Sequence, residues 1–559
     1  MPALSRFSRF LLPLLSGGLL TLAFPGMNLE IAAWIWLFPL LFLLWPMAER
    51  EGKKASSPFL SGWLAGLAFW IPNLAWLRHS SRVVGGARDD TWIGWGPELL
   101  GFAAVFGLAL YCALYFGIWS WIVARFAKPD FKKLANAPWQ ISTWHSLRCA
   151  FIAAAAWSGL EWVRSYFPFS GFGWNGLGVA LHQNVLLIQI ADVVGVMGLS
   201  FLPVFVACTA WNTVSRMIMV YRGQGQCRSR LDFTFAMVLV LSIAGYGALR
   251  LGEKCKEETV TVRTVLVQPN VAQVDSWSGE LGPQIYKRLH DFTRLYAEAR
   301  DGVTQTDLVI WPESALPVHL YGLADHRPYF DELLGLGDYS LLTGTELHEP
   351  GQRGHVSAVL FRGGYNQRQE YNKIHLVAFG EYLPLRNIPP FSFLKGVLPG
   401  DFDPGTKAEP FLLEKPQVQL IPLICFEDTV GRMARRFVRP APQMLVNITN
   451  DGWFLQSVET EVHLANAKFR SIELRRPMVR AANTGITCFI DTYGQVTSHL
   501  HDPVTGNTFI EGCLPGEVQV SKAGILTFYA RYGDVFCIAM LALTGVFMAL
   551  QFRRKKAAV

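Results

Sequence analysis

The chain has 559 residues, more than one ordinary domain holds, so two or more folded units are expected. Hydrophobic residues make up 51% of it and charged residues only 17%, and its mean hydropathy is positive, which suits a membrane protein with a substantial soluble part. The net charge of +7 does not point to nucleic acid, because the basic residues cluster at the ends of apolar stretches, where membrane topology places them.

Eight apolar stretches approach the roughly 20 residues of a bilayer crossing. They lie at about 9–25, 29–47, 58–77, 97–124, 149–167, 194–214, 233–251 and 534–552. The first follows Arg6 and Arg9 as a signal peptide would. No small-residue cleavage site follows cleanly and another apolar stretch begins at once, so an uncleaved span is expected. On alternate sides, one set of connections holds Arg50, Lys53, Lys54, Arg125, Lys128, Lys132, Lys133, Arg148, Arg216, Arg222, Arg228 and Arg230, besides the basic termini. The other set holds Arg78, Arg82 and Arg88, with Arg164 at a helix end. The positive-inside rule then puts both termini in the cytoplasm and 252–533 on the far side. The expected domains are 1–251 with about seven spans, a soluble 252–533, and 534–559 with one span and a basic tail.

Within 252–533 the pattern changes to short β-branched runs: 261–268, 307–311, 339–344, 355–361, 418–425, 443–449 and 486–491. Helical patterns intervene at 281–300 and 460–475, so a layered α/β domain is predicted. The nine cysteines show no CxxC and imply no disulfide framework.

Three groups with covalent chemistry follow these runs. Cys425 ends the strand-like QVQLIPLIC. Glu313 follows DLVIW through a proline that fixes its backbone. Lys373 sits in EYNKIHLVAFGEYLP, with Glu381 beyond, flanked by aromatic residues. A thiol, a base and a cation are the parts of covalent acyl transfer. Glu427 and Asp428 beside the thiol raise its pKa, so a partner from elsewhere must activate it. Other signals carry less. Gly171, Gly173 and Gly176 fit GxGxxG without a βαβ unit around them. His499 and His501 lack a third metal ligand. Glu161 and Arg164, three apart on one helix, are expected to pair with each other or with a loop. GRMARRF (431–437) is unusually basic and takes no role.

WPES (311–314), NKIHLVAFGEYLP (372–384), LICFED (423–428) and NDGWF (450–454) resemble the motifs of the nitrilase superfamily, and more closely those of bacterial apolipoprotein N-acyltransferases. The resemblance extends to EWVRSYFPFSGFGWNGLG (161–178) and VQPNVAQVDSW (267–277), and so covers essentially the whole chain. It implies an α-helical membrane bundle plus an extracytoplasmic nitrilase-like αββα sandwich. The implied catalytic residues are Glu313, Lys373 and Cys425, with Glu381 as a second glutamate. Trp277, Phe426, Glu427, Asn450 and Trp453 are the implied substrate-binding positions. Phe426 and Asp428 depart from the family, which more often has tyrosine and an apolar residue there.

The resemblance further implies a phospholipid acyl donor and diacylglyceryl apolipoprotein acceptors, with no cofactor and no metal. A monomer in the bacterial inner membrane, with its catalytic domain in the periplasm, is expected. The Pro- and Phe-rich stretch between Glu381 and Gly405 suits a lid or an interfacial segment. The rival readings are a membrane-tethered nitrilase-type amidase, a transporter and a catalytically dead scaffold. The amidase leaves the spans unexplained, the transporter calls for ionisable groups in several spans, and the scaffold does not account for an intact set of reactive residues.

Overall fold

The structure is a computed structural model that describes residues 6–47, 57–89, 92, 94–253, 257–276, 281–299, 305–316, 326–348, 353–389 and 400–557. The chain divides into two compact units. One comprises Met1–Ala75, Phe102–Gly252 and Tyr532–Val559; the other comprises Trp76–Gly101 and Glu253–Arg531.

Among its described residues the first unit is helical throughout. Among the described residues, four helices are long and apolar enough to cross a membrane: Trp95–Phe126, Phe201–Tyr221, Leu231–Gly252 and Val535–Arg553. A fifth is added if Pro58–Asn73 and Ala75–Val84, bent by 49°, count as one span. The other apolar stretches are divided differently from the expectation. The first is the 16-residue helix Arg6–Thr21, and the second breaks into Ile31–Ile35 and Phe38–Leu44 ahead of Pro39. At about 1.5 Å per residue, a 16-residue helix is shorter than the hydrocarbon core. The stretch at 149–167 belongs to a longer helix, Trp139–Arg164, whose first half carries His145 and Arg148. Close packing here relies on small residues: a Cβ on Gly62 would meet the Phe116 carbonyl oxygen at 2.3 Å, and one on Gly66 would meet Ala113 Cα at 2.8 Å.

Glu161 and Arg164 fasten a loop rather than forming an intramembrane pathway. Arg164 Nη1 donates to the carbonyls of Phe172 (2.7 Å) and Trp174 (2.9 Å), and Glu161 Oε1 accepts from Leu177 N (2.8 Å) and Trp157 Nε1 (2.9 Å). This loop carries Gly171, Gly173 and Gly176 with no described strand before it, so it is no dinucleotide fingerprint.

Among its described residues the second unit holds twelve strands: β1 Thr259–Gln268, β2 Leu308–Ile310, β3 Ser340–Leu347, β4 His355–Arg362, β5 Arg368–Asn372, β6 Phe411–Leu413, β7 Val418–Ile424, β8 Gln443–Thr449, β9 Met478–Ala482, β10 Cys488–Ile490, β11 Val496–His499 and β12 Gly512–Ser521. They form two six-stranded sheets in the orders β12-β1-β2-β3-β4-β5 and β11-β10-β9-β8-β7-β6. Each has three parallel strands, β1–β2–β3 or β7–β8–β9, with antiparallel strands outside them.

Period-two alternation decides what each face meets. Val262 and Leu266 of β1, Leu308 and Ile310 of β2, and Val356, Ala358 and Leu360 of β4 share one core with Leu420, Ile421 and Leu423 of β7 and with β8 and β9. The intervening Val265, Val267, Val309, Val359 and Phe361 pack instead with the helices Gly282–Ala297 and Arg327–Leu334. The helices Glu459–Ala467 and Phe469–Leu474 follow β8, and Leu464 and Leu474 join the shared core. Helix, sheet, sheet and helix therefore stack as four layers.

Trp76–Gly101, assigned from sequence to the N-terminal helices, belongs to this second unit. The Trp76 ring lies 4.7 Å from that of Phe454, and Arg88 pairs with Asp275 at 2.6 Å. None of the eight described cysteines forms a disulfide.

Candidate active site

Because β2 and β5 run in the same direction, Glu313 and Lys373 leave the first sheet at the same end. Cys425 leaves the second sheet directly after β7. Glu313 is held close to β3, where a Cβ on Gly344 would lie 2.5 Å from Glu313 Cα, so only glycine fits. Lys373 continues the β-ladder through its N–H to the Val356 carbonyl (2.8 Å). Cys425 adopts a left-handed conformation, φ +50°, and opens a short 3₁₀ turn, Cys425–Thr429. Such a backbone costs a non-glycine residue about 1–2 kcal/mol. It turns the thiol out of the strand direction, and the site must hold it there.

Lys373 is fully buried. Its Nζ lies 2.5 Å from Glu381 Oε1 and 3.6 Å from Glu313 Oε1. The other Glu381 oxygen accepts from Val377 N at 2.8 Å. Burial disfavours the ammonium, but Glu381 and Glu313 more than offset that and hold Lys373 above the usual lysine range. Burial pushes the Glu313 carboxyl up to about 7 against the pull of Lys373, with Glu381 adding to the rise. The Cys425 thiol faces the Glu313 carboxyl and the Thr449 hydroxyl. Burial and the Glu313 charge push it well above the ordinary thiol range despite Lys373. At neutral pH Cys425 rests as a thiol beside a carboxyl that is partly ionised.

Glu427, expected at a substrate position, is committed to hydrogen bonds within the protein. It is fully buried, and Oε1 accepts from the N–H groups of Ile374 (2.8 Å) and His375 (2.9 Å), while Oε2 accepts from Ile424 N (2.9 Å). The Tyr371 hydroxyl donates to the same carboxylate at 2.8 and 3.0 Å. One carboxylate thus ties the residues after Lys373 to the residue before Cys425. Its own pKa is pushed up to about 7, chiefly by burial. Tyr371 was missed in the sequence, although its spacing of two from Lys373 on an extended segment is a usable signal.

Asn450 is likewise committed within the protein. Its Oδ1 accepts from Gly452 N (3.1 Å) and Asn483 Nδ2 (3.0 Å), and its Nδ2 donates to Gln273 Oε1 (2.5 Å). It joins the NDGWF turn to the VQPNVAQ segment. Phe426 is half-buried, its ring stacked with His375 at 5.9 Å, and Trp453 is half-buried in the turn Asp451–Phe454. Trp277 lies outside the described residues, as do 390–399 of the expected lid. Of the basic stretch 431–437, Arg435 donates to the carbonyls of Ala530 (3.4 Å) and Arg531 (2.9 Å), tying down a helical turn. His499 ends β11, and His501 Nδ1 lies 3.1 Å from the His499 carbonyl, which is a turn contact.

A second charged cluster was not anticipated. Donor atoms of Asp451, Glu459 and His463 lie within 4.8 Å of one another, a spacing that could hold a metal ion. Arg480 already occupies this ground. Its Nη2 lies 3.1 Å from Asp451 Oδ2 and 3.0 Å from His463 Nδ1, and a metal cation beside that guanidinium is disfavoured.

A four-layer α/β unit in which a glutamate, a lysine and a cysteine converge at strand ends is of the nitrilase superfamily, and residues 271–519 match the carbon-nitrogen hydrolase family. A carbon-nitrogen hydrolase superfamily protein of Xanthomonas campestris aligns with 51% of this chain and 97% of its own, at 13% identity and a TM-score of 0.34. Residues 16–209 match the apolipoprotein N-acyltransferase N-terminal domain. The chain is 31% identical to an apolipoprotein N-acyltransferase of Geobacter metallireducens, over 98% of this chain and 96% of that one. It is 29% identical to one of Rhodopseudomonas palustris over the same shares. The chain belongs to the apolipoprotein N-acyltransferase family.

Proposed function

We propose that this protein takes a fatty acyl chain from a membrane glycerophospholipid onto Cys425 as a thioester. It then passes the chain to the α-amino group of the diacylglyceryl-cysteine at an apolipoprotein N-terminus, completing lipoprotein maturation. The observation that carries the reading is the buried Lys373 held between Glu381 and Glu313, with the Cys425 thiol facing Glu313.

In the first half-reaction Glu313 takes the thiol proton as sulfur attacks the ester carbonyl and the C–S bond forms. The Lys373 ammonium faces the charge that develops on the tetrahedral oxygen. Collapse breaks the C–O bond, and Glu313 returns its proton to the departing lysophospholipid oxygen. In the second half-reaction the neutral amine attacks the thioester. Glu313 takes the amine proton, the C–N bond forms, the C–S bond breaks, and the proton goes back to sulfur. The cycle is ping-pong and closes with the thiol restored. Lys373 stays charged throughout because Glu381 keeps it paired. In the same reading the chain crosses the bacterial inner membrane eight times with both termini cytoplasmic, and the catalytic unit works as a monomer on the periplasmic side. The distribution of Lys and Arg supports this orientation.

The test is intact mass spectrometry of the full chain after incubation with phospholipid and no acceptor. The expected result is one fatty-acyl increment on the wild type, removed by neutral hydroxylamine and absent from Cys425→Ala. An unmodified enzyme that instead hydrolyses small amides would replace the proposal with a membrane-tethered amidase.

A further inference from the structure

Arg480 of β9 is fully buried, and none of the proposed chemistry passes through it. Its Nη1 donates to Asp428 Oδ2 (2.7 Å) and to Asn447 Oδ1 (2.8 Å). That second bond fixes which way the Asn447 amide faces, because a guanidinium can only donate. The amide nitrogen is therefore turned towards the nucleophile, where Nδ2 donates to the carbonyls of Cys425 (3.1 Å) and Leu423 (3.3 Å). The other side of the guanidinium reaches the thiol. Nη2 lies 3.1 and 3.2 Å from the two oxygens of Asp451, whose Oδ1 accepts from Thr449 Oγ1 at 3.2 Å. The same Thr449 hydroxyl meets the Cys425 sulfur. It has one proton, so the hold of Asp451 on that proton decides what the hydroxyl presents to sulfur.

We propose that Arg480 is a positioning residue for the nucleophile, holding the Cys425 backbone through Asn447 and its thiol through Asp451 and Thr449. Charge balance alone calls for no asparagine, since Asp428 and Asp451 already neutralise the guanidinium. The left-handed Cys425 does need an external hold, because a residue in that region persists only where its surroundings fix it. Glu427 supplies one from the side of the first sheet, through Ile424 N. Asn447 supplies the other from β8, through the two flanking carbonyls. The inference rests on the reading of Cys425 as the nucleophile.

The test uses the full chain in detergent and two readouts: the rate of Cys425 alkylation by iodoacetamide, and kcat against KM for acyl-enzyme formation. Asn447→Asp keeps a partner for Arg480 but turns a carboxylate oxygen against two carbonyls. Its alkylation and kcat are expected to fall about 100-fold, the cost of a misplacement of order 1 Å, with KM unchanged. Thr449→Val keeps the shape and loses the hydroxyl, and should slow alkylation about tenfold, whereas Thr449→Ser should restore it. If Asn447→Asp does not fold, the Val and Ser pair carries the test alone. Wild-type alkylation in Asn447→Asp, or in Thr449→Val where that pair stands alone, overturns the proposal and leaves Arg480 a structural ion pair. Alkylation needs no lipid, so a wild type that forms no acyl-enzyme defeats the proposed function without deciding this one.

Discussion

Glu313, Lys373 and Glu381 form one buried charge cluster of the second unit, and Asp428, Arg480, Asp451 and His463 form another. In the first, a single ammonium serves two carboxylates unequally, at 2.5 Å from Glu381 and 3.6 Å from Glu313. Glu313 is left only partly compensated for its burial and titrates near about 7. In the second, two cationic side chains meet two aspartates. Against burial, Arg480 and His463 hold Asp451 below the usual carboxylate range. Despite burial and Arg480, Asp428 and Asp451 raise His463 to about 10. Both clusters set buried carboxylates against cations, and the balance of burial against nearby opposite charge decides which carboxyl is raised and which is lowered.

The contrast can be broken from either side. Lys373→Ala leaves Glu313 and Glu381 without their shared cation, and acyl-enzyme formation should fall about 10³-fold in single-turnover assays. A loss below tenfold would remove Lys373 from the oxyanion role. Asp428→Asn breaks a buried pair, which costs about 3–5 kcal/mol. A marked fall in Tm in detergent is expected, with the pH midpoint of acylation unmoved; a moved midpoint would mean that the two clusters are one.

The wild-type acylation rate should rise with pH and level off above a midpoint near about 7, because Glu313 accepts the thiol proton only when ionised. A flat profile from pH 6 to 8 would sink Glu313 as the base. The smallest effect is the sharpest probe: Glu381→Gln removes a negative neighbour that raises Glu313, so the midpoint should move to lower pH while the plateau drops. A midpoint that rose would show that Lys373 had swung away from Glu313.

Much of the fold could be read locally. Runs such as 261–268, 355–361 and 443–449 correspond to β1, β4 and β8 because their β-branched residues alternate between two buried faces. The helical period at 281–300 marks Gly282–Ala297. Five strands were not legible. β5 and β11 carry mostly polar residues, β12 contains glycine and proline at a sheet edge, β6 has three residues, and β9 has an arginine at its centre. That arginine is buried only because Asp428, Asp451 and Asn447 surround it, from positions 29 to 52 residues away in sequence.

The sequence by itself determined the reactive inventory: a thiol, a lysine and two glutamates, each following an extended segment, in a chain with membrane-length apolar stretches and a family likeness over its whole length. Tertiary structure alone decided the division of labour among the carboxylates. Glu427 stands two residues from Cys425 and is committed to three N–H groups and a tyrosine. Glu313 stands 112 residues from Cys425 and shares the Lys373 ammonium with Glu381; burial raises Glu313 and Glu427 alike to about 7, so their partners and not their pKa values set them apart. Desolvation and hydrogen-bond count depend on distances between strands far apart in the chain, and no local pattern encodes them.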